Sequence, residues 1–334
     1  MAASKIWTRV DYEKDGKQVG WLNLPHSVNR SAYGNIAIPV TCIKNGKGPT
    51  VLLMSGTHGD EYEGQIGLCK LVQKLEPSDI QGRVIIMTAC NLPAAMASAR
   101  VSPIDEGNLN RAFPGDPDGT PTFAIAHYID SVLFPLTNYI HDLHSGGSSL
   151  QYMPFASVRY GADEAVNKRA LEALKAFNPP TGFVWKHTAD QRLGIARAVS
   201  QGIVALGGEF GGGGAVDIKG VKIVERGLDN LLAHIGITDK SKAHPVETPT
   251  RFVELKGRDY YVYTEEAGLF EPAAELGDWI KKGQLAGHTH FVDNPGRKPV
   301  PSHFLMDGQV ICRRHFGRVE RGDCVVHLAT EFQG

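Results

Sequence analysis

From Thr50 onward, short apolar runs rich in β-branched residues alternate with longer runs in which apolar residues recur every three or four positions. Residues 50–55, Thr-Val-Leu-Leu-Met-Ser, read as a buried strand. Residues 63–75 gather Ile66, Leu68, Leu71, Val72 and Leu75 on one helical face, and residues 83–89 form the next strand, which completes a β-α-β unit. The same alternation predicts helices over 123–133, 163–177, 193–200 and 216–235, and strands over 138–144, 182–186 and 203–206. Strands that alternate with helices imply an α/β domain on a mostly parallel sheet flanked by helices. After about residue 240 the texture changes. Residues 241–250 are polar with two prolines, and beyond them come short runs such as 260–263 and 324–328, separated by Gly and Pro. The chain therefore divides into an α/β domain over 1–245 and a β-rich domain over 246–334.

A chain of 334 residues with 42% hydrophobic and 21% charged residues can bury a sizeable core, which excludes disorder and disulfide-dependent miniature folds. With 35 basic and 36 acidic residues, no net field draws the protein to nucleic acid or to an anionic membrane. A small neutral or zwitterionic partner is expected. The first residues carry no secretory core and no stretch approaches the ~18 apolar residues of a membrane span, so a cytoplasmic location is expected. The five cysteines are scattered and never form C-x-x-C, which argues against a disulfide framework or a cysteine zinc site. Cys69 and Cys90 read as core residues.

The densest chemistry follows the first strong strand, in Gly56-Thr-His58-Gly-Asp-Glu61, where an open α/β sheet places its ligand crevice. An imidazole and a carboxylate three residues apart, with a glycine between them, can converge on one ion. Two histidines and a glutamate are a common ligand set for catalytic zinc, and the alternative is a plain surface turn. The run His141-Asp-Leu-His144 ends another predicted strand and offers the third ligand. His141 and His144 differ by an odd number of positions and so face opposite sides of a strand. Asp142 shares a face with His144 and could orient it, which favours His144. Glu209 stands at a strand end inside a glycine-rich run that lacks both the dinucleotide and the P-loop spacing. It is a candidate general base, with a simple turn carboxylate as the alternative. Arg100 and the run Asn108-Leu-Asn110-Arg111 offer donors to a substrate carboxylate or an oxyanion, unless these arginines pair with Asp105, Glu106 or Asp116. His288 and His290, two apart on one strand face, form the best rival metal pair for a non-enzymatic metal-binding or structural protein.

The ordered set His58-x-x-Glu61, Arg100, Asn110-Arg111, His144 and Glu209 resembles the succinylglutamate desuccinylase/aspartoacylase family, relatives of the zinc carboxypeptidases. The resemblance spans nearly the whole chain. The segments 277–283, 306–311 and 320–326 resemble that family's second domain, a β structure related to biotinyl and lipoyl carriers. Met306 is followed by Asp307 and Gly308 where a carrier would bear its lysine, so a wall over the active site is the expected role. The resemblance implies one zinc ion held by His58, Glu61 and His144, with Glu209 as base and proton shuttle. Arg100 would assist the oxyanion, Asn110 and Arg111 would bind the substrate carboxylate, and Arg197 would match a further substrate-binding arginine. Many members read Asp-Leu-Asn-Arg where this chain has Asn108, so it need not take the dicarboxylic substrates of the family's namesakes. Within the family the motifs resemble the branch that deacetylates N-acetyl-L-2,4-diaminobutyrate in ectoine degradation. The implied partner is a small zwitterionic N-acyl amino acid, and the expected assembly is a homodimer. A substrate ammonium would then call for an acidic group beside Arg111, with Asp105, Glu106, Asp116, Asp190 and Asp217 as candidates. Peptides, as in the carboxypeptidase relatives, are a third reading, which a β lobe across the mouth would oppose.

Overall fold

A computed structural model describes residues 4–186 and 190–334. After a two-residue edge strand, Trp7–Thr8, its large sheet continues with an antiparallel hairpin, β1 (Gly16–Pro25) and β2 (Asn35–Asn45), followed by β3 (Thr50–Ser55) and β4 (Gly82–Met87). The hairpin lies before the first element read from the sequence, although Ile36, Ile38 and Val40 alternate with less buried residues as a half-buried strand does. Then come β5 (Tyr139–Leu143), β6 (Leu150–Tyr152), β7 (Phe155–Arg159), β8 (Thr181–Trp185) and β9 (Val204–Glu209). Across the sheet β3 lies between β4 and β5, β5 is followed by β9, and β9 by β7 and β8. The pairings β3 with β4, β3 with β5, β5 with β9 and β7 with β8 are parallel, while β9 with β7 is antiparallel. The parallel arrangement expected from the alternation thus holds in the centre of a mixed sheet.

The all-apolar run of β3 is explained by layers on both faces. Leu52 and Met54 enter one core with Ile125 and Ile129, and Val51 and Leu53 enter the other with Leu68 and Leu71. Three helices cover that second face: α1 (Tyr62–Lys74), α4 (Glu164–Phe177) and α6 (Ile218–His234). The opposite face is covered by α2 (Leu92–Met96), α3 (Pro121–Tyr128) and α5 (Gly194–Ser200). Asp163 and Asp217 cap α4 and α6 by accepting two backbone N–H bonds each. The helix expected over 123–133 is interrupted after α3, where residues 129–133 widen into a π-turn. Cys69 corrects its expectation: it is exposed, because the buried stripe of α1 runs through Leu68 and Leu71 and position 69 turns to solvent, whereas Cys90 is buried.

The C-terminal strands do not form a detached lobe. β10 (Arg251–Glu254) extends the large sheet parallel to β8, and the last strand, Cys324–Glu331, pairs with it. Phe155 and Phe183 of the α/β part share a core with Val253, Val310 and Val326. A separate antiparallel sheet of four strands packs on this region. Among the described residues no helix is long and apolar enough to cross a membrane.

Candidate metal and catalytic site

Three adjacent parallel strands, β3, β5 and β9, end at one edge of the sheet, where an α/β fold leaves a crevice. His58 and Glu61 lie in the turn that joins β3 to α1, His144 directly follows β5, and Glu209 is the last residue of β9. A bridge between His144 and Glu209 ties the last two together. Gly59 is what lets the first turn close, since a Cβ there would fall 2.0 Å from the Ala94 carbonyl. Among the described residues, His58, Glu61 and His144 are the one trio of potential ligands whose atoms lie within 4.8 Å of one another, and all three are buried. Both imidazoles turn Nδ1 toward Glu61, His58 at 2.7 Å from Oε1 and His144 at 2.7 Å from Oε2. Although burial opposes its charge, the two adjacent histidines hold the Glu61 carboxyl well below the usual range. Two imidazoles and a low-lying carboxylate aimed at one buried point fit zinc.

The remaining ring nitrogens are also engaged. His144 Nε2 lies 3.0 Å from Asp142 Oδ2, and Asp142 Oδ1 accepts from Thr57 Oγ1 at 3.0 Å. His58 Nε2 faces Asn108 Oδ1 at 3.2 Å. Asn108, where many family members have Asp, therefore stands behind a histidine of the trio and does not line the cavity. The departure from Asp at position 108 bears on how that imidazole is held. His141 lies on the opposite face, edge-on to Phe177 with ring centroids 4.8 Å apart, and burial pushes it down to about 4. Replacing Asp142 by Ala should weaken metal binding by ~10–100-fold, because the ring it orients would be free to turn. Competition against a chelator measures this, and an affinity equal to wild type would remove Asp142 from that role.

The trio opens into a cavity of about 480 Å³, also lined by Arg100, Asn110, Arg111 and Glu209. Arg100 Nη1 lies 3.6 Å from Glu61 Oε1. Partial burial and then the nearby charge of Arg100 lower the pKa of Arg111, so the two guanidinium groups share a neighbourhood suited to an anion. Asn110 Oδ1 accepts from Gly194 N at 3.1 Å, which fixes that side chain at the start of α5. Glu209 Oε2 is inaccessible and has no hydrogen-bond partner. Burial, and then the charge of Glu61, push the Glu209 carboxyl well above its ordinary range.

Other sequence expectations find different places. Arg197 is not at the cavity, since its guanidinium pairs with Asp130 at 2.7 Å. Of the acids proposed to meet an ammonium, none lines the cavity, whose carboxylates among the described residues are Glu61 and Glu209. Asp105 accepts from Thr122 N, Asp116 from Asp118 N, Asp190 pairs with Arg192, Asp217 caps α6, and Glu106 is exposed. His288 and His290 lie side by side with ring centroids 6.3 Å apart, but His290 pairs with Glu271. Sequence reasoning missed Tyr152, Trp185, Arg314 and Cys324 in the cavity wall. Arg314 comes from the C-terminal strands and is braced by Asp323 at 3.0 Å, and no local motif announces it.

Residues 47–235 match the sequence profile of the succinylglutamate desuccinylase/aspartoacylase catalytic domain. The chain is 41% identical over 326 residues to the N-alpha-acetyl-L-2,4-diaminobutyric acid deacetylase of Halomonas elongata, covering 98% of this chain and 95% of that protein. It is similar to the product-bound ectoine utilization protein EutE (DoeB) of Ruegeria pomeroyi, with 38% identity, a TM-score of 0.94 and coverage of 99% and 100%. It is also similar to a succinylglutamate desuccinylase/aspartoacylase of Rhodobacter sphaeroides, with 39% identity, a TM-score of 0.92 and coverage of 98% and 100%.

Proposed function

Since the chain belongs to the succinylglutamate desuccinylase/aspartoacylase family, we propose that it is a zinc-dependent deacetylase of N-alpha-acetyl-L-2,4-diaminobutyrate, releasing acetate and L-2,4-diaminobutyrate. The observation that carries the chemistry is the convergence of His58, Glu61 and His144 beside a carboxylate, Glu209, whose Oε2 is unengaged. The substrate rests on the deacetylase relative.

His58, Glu61 and His144 would hold the metal. Zinc, when bound, supplies a positive charge that acidifies water, from a pKa of ~15.7 toward ~7, and polarises a carbonyl. Glu209 accepts the proton of the attacking water. The same proton then goes to the amide nitrogen as the C–N bond breaks, which leaves a neutral amine and a free Glu209. Arg100 donates to the carbonyl oxygen as it gains charge. Arg111 and Asn110 hold the α-carboxylate, and the proximity of Arg100 to Arg111 supports an anion there. In the same reading residues 1–245 form the catalytic part, and residues 246–334, a β structure resembling biotinyl and lipoyl carriers, form a wall across the site. Arg314 and Cys324 in the cavity lining support that role. A cavity of about 480 Å³ favours a small N-acyl amino acid over a peptide.

The expected result with zinc-loaded protein is a higher kcat/KM for N-acetyl-2,4-diaminobutyrate than for N-acetylaspartate or succinylglutamate. A lead of ~10³ is the scale for a site that reads a polar group specifically. Should N-acetylaspartate or succinylglutamate lead, the diaminobutyrate assignment falls while the deacylase chemistry stands.

A further inference from the structure

Behind the trio lies a second buried carboxylate that the chemistry above does not use. Glu63, in the first turn of α1, is fully buried and stands outside the cavity lining. Its Oε2 accepts from Ser145 Oγ, and its Oε1 accepts from Asp217 N at 2.7 Å. Ser145 directly follows His144, and its backbone N–H donates to Glu61 Oε2 at 3.2 Å. One serine thus gives its N–H to the carboxylate of the trio and its O–H to the carboxylate two positions further along the chain. Asp217 stands at the far end of the run that leaves Glu209, Phe210-Gly-Gly-Gly-Gly214-Ala-Val216. Four successive glycines have much conformational freedom to lose, so what pins the end of that run matters. Gly211 also leaves the carboxylate its room, since a Cβ there would fall 2.6 Å from Glu63 Oε1. Three segments therefore meet on Glu63: the turn bearing Glu61, the residue after His144 and the loop after Glu209.

We propose that Glu63 is a positioning residue that acts through Ser145 to fix the Glu61 carboxylate within the trio, while its bond to Asp217 holds the loop that follows Glu209. The assignment rests on the metal-centre reading, because it concerns how a ligand of that centre is held. The hydroxyl of Ser145 has one proton and two acceptors in reach, Glu63 Oε2 and the His144 carbonyl at 2.9 Å. The carboxylate is the stronger acceptor and takes it. With the side chain tied to Glu63, the backbone N–H stays aimed at Glu61 Oε2, the oxygen that also faces His144 Nδ1. Alanine at 63 removes both ties. Glutamine keeps both by one reversal: its oxygen accepts from Asp217 N, its amide donates to Ser145 Oγ, and the hydroxyl proton passes to the His144 carbonyl.

The test is zinc affinity by chelator competition, together with the visible spectrum of the cobalt(II)-substituted protein, for wild type, Glu63→Ala, Glu63→Gln, Ser145→Ala and the double variant Glu63→Ala with Ser145→Ala. Glu63→Ala should weaken zinc binding ~10–100-fold and shift the cobalt bands, and Ser145→Ala should weaken it ~10-fold. Glu63→Gln should stay within threefold of wild type and keep the wild-type bands, a rescue that mere removal of a buried charge would not give. Because the two residues act in one chain of contacts, the double variant should bind zinc within threefold of Glu63→Ala. Should Glu63→Ala fail to fold, Ser145→Ala and Glu63→Gln carry the same test. Wild-type affinity and bands in Ser145→Ala, a loss in Glu63→Gln like that in Glu63→Ala, or additive losses in the double variant would each overturn the proposal and leave the metal centre standing. A wild-type protein that binds neither zinc nor cobalt would overturn the metal-centre reading, and this proposal with it.

Discussion

Replacing Glu209 by alanine will lower kcat by ~10²–10⁴-fold while the protein keeps about one zinc per chain. The two readouts separate because Glu209 stands beside the ligand trio without belonging to it. The trio is complete in His58, Glu61 and His144, each already directed at the others, and Glu209 Oε2 has no partner in the protein. Removing that carboxylate leaves the proposed metal donors intact and takes away the group proposed to accept and return a proton. KM should change much less than kcat, because Asn110 and Arg111, the proposed carboxylate anchors, sit on the separate segment between β4 and α3. Metal analysis and steady-state rates on the same sample are sufficient. A variant near wild type in kcat would take Glu209 out of the mechanism, and one that loses its zinc would make it a ligand.

Removing a ligand should have the second large effect. His58→Ala is expected to lose the bound zinc and at least ~10³-fold in kcat/KM, since the acidified water goes with the metal. The same variant should lose the stabilisation that zinc confers on the folded protein, ~4 kcal/mol at a thousandfold excess over Kd. A zinc-dependent rise in Tm is therefore expected for wild type and absent for His58→Ala, a readout independent of activity. His288→Ala provides the contrast: His288 lies outside the trio and should keep zinc, Tm shift and rate. If instead His288→Ala releases the metal and His58→Ala does not, the protein is a metal binder of another kind and the catalytic reading fails.

Much of this site was legible because it is built from residues close in sequence. The turn after β3 carries two potential ligands within four residues, and its glycine is needed for close approach to Ala94. The choice of His144 over His141 followed from strand alternation, and the structure buries His141 against Phe177 on the opposite face. Where only loose spacing was available the reading strayed. Arg197 was matched by its distance before Glu209, but the rotation of α5 points it to Asp130. Cys69 lay in an apolar run, yet it falls one residue off the buried stripe of α1.

Periodicity and local motif chemistry thus determined by themselves the alternation of strands and helices, the ligand turn, the third histidine and the candidate base. Each of these depends on neighbours a few residues apart, which backbone geometry relates directly. What only the tertiary structure decided is what stands across from them. Asn108 sits behind His58, Arg314 reaches the cavity from the far end of the chain, and none of the acids expected beside Arg111 turns inward. Those contacts join segments separated by up to hundreds of residues. Their positions depend on how β7, β9 and the C-terminal strands pack and register, and no local pattern encodes that packing.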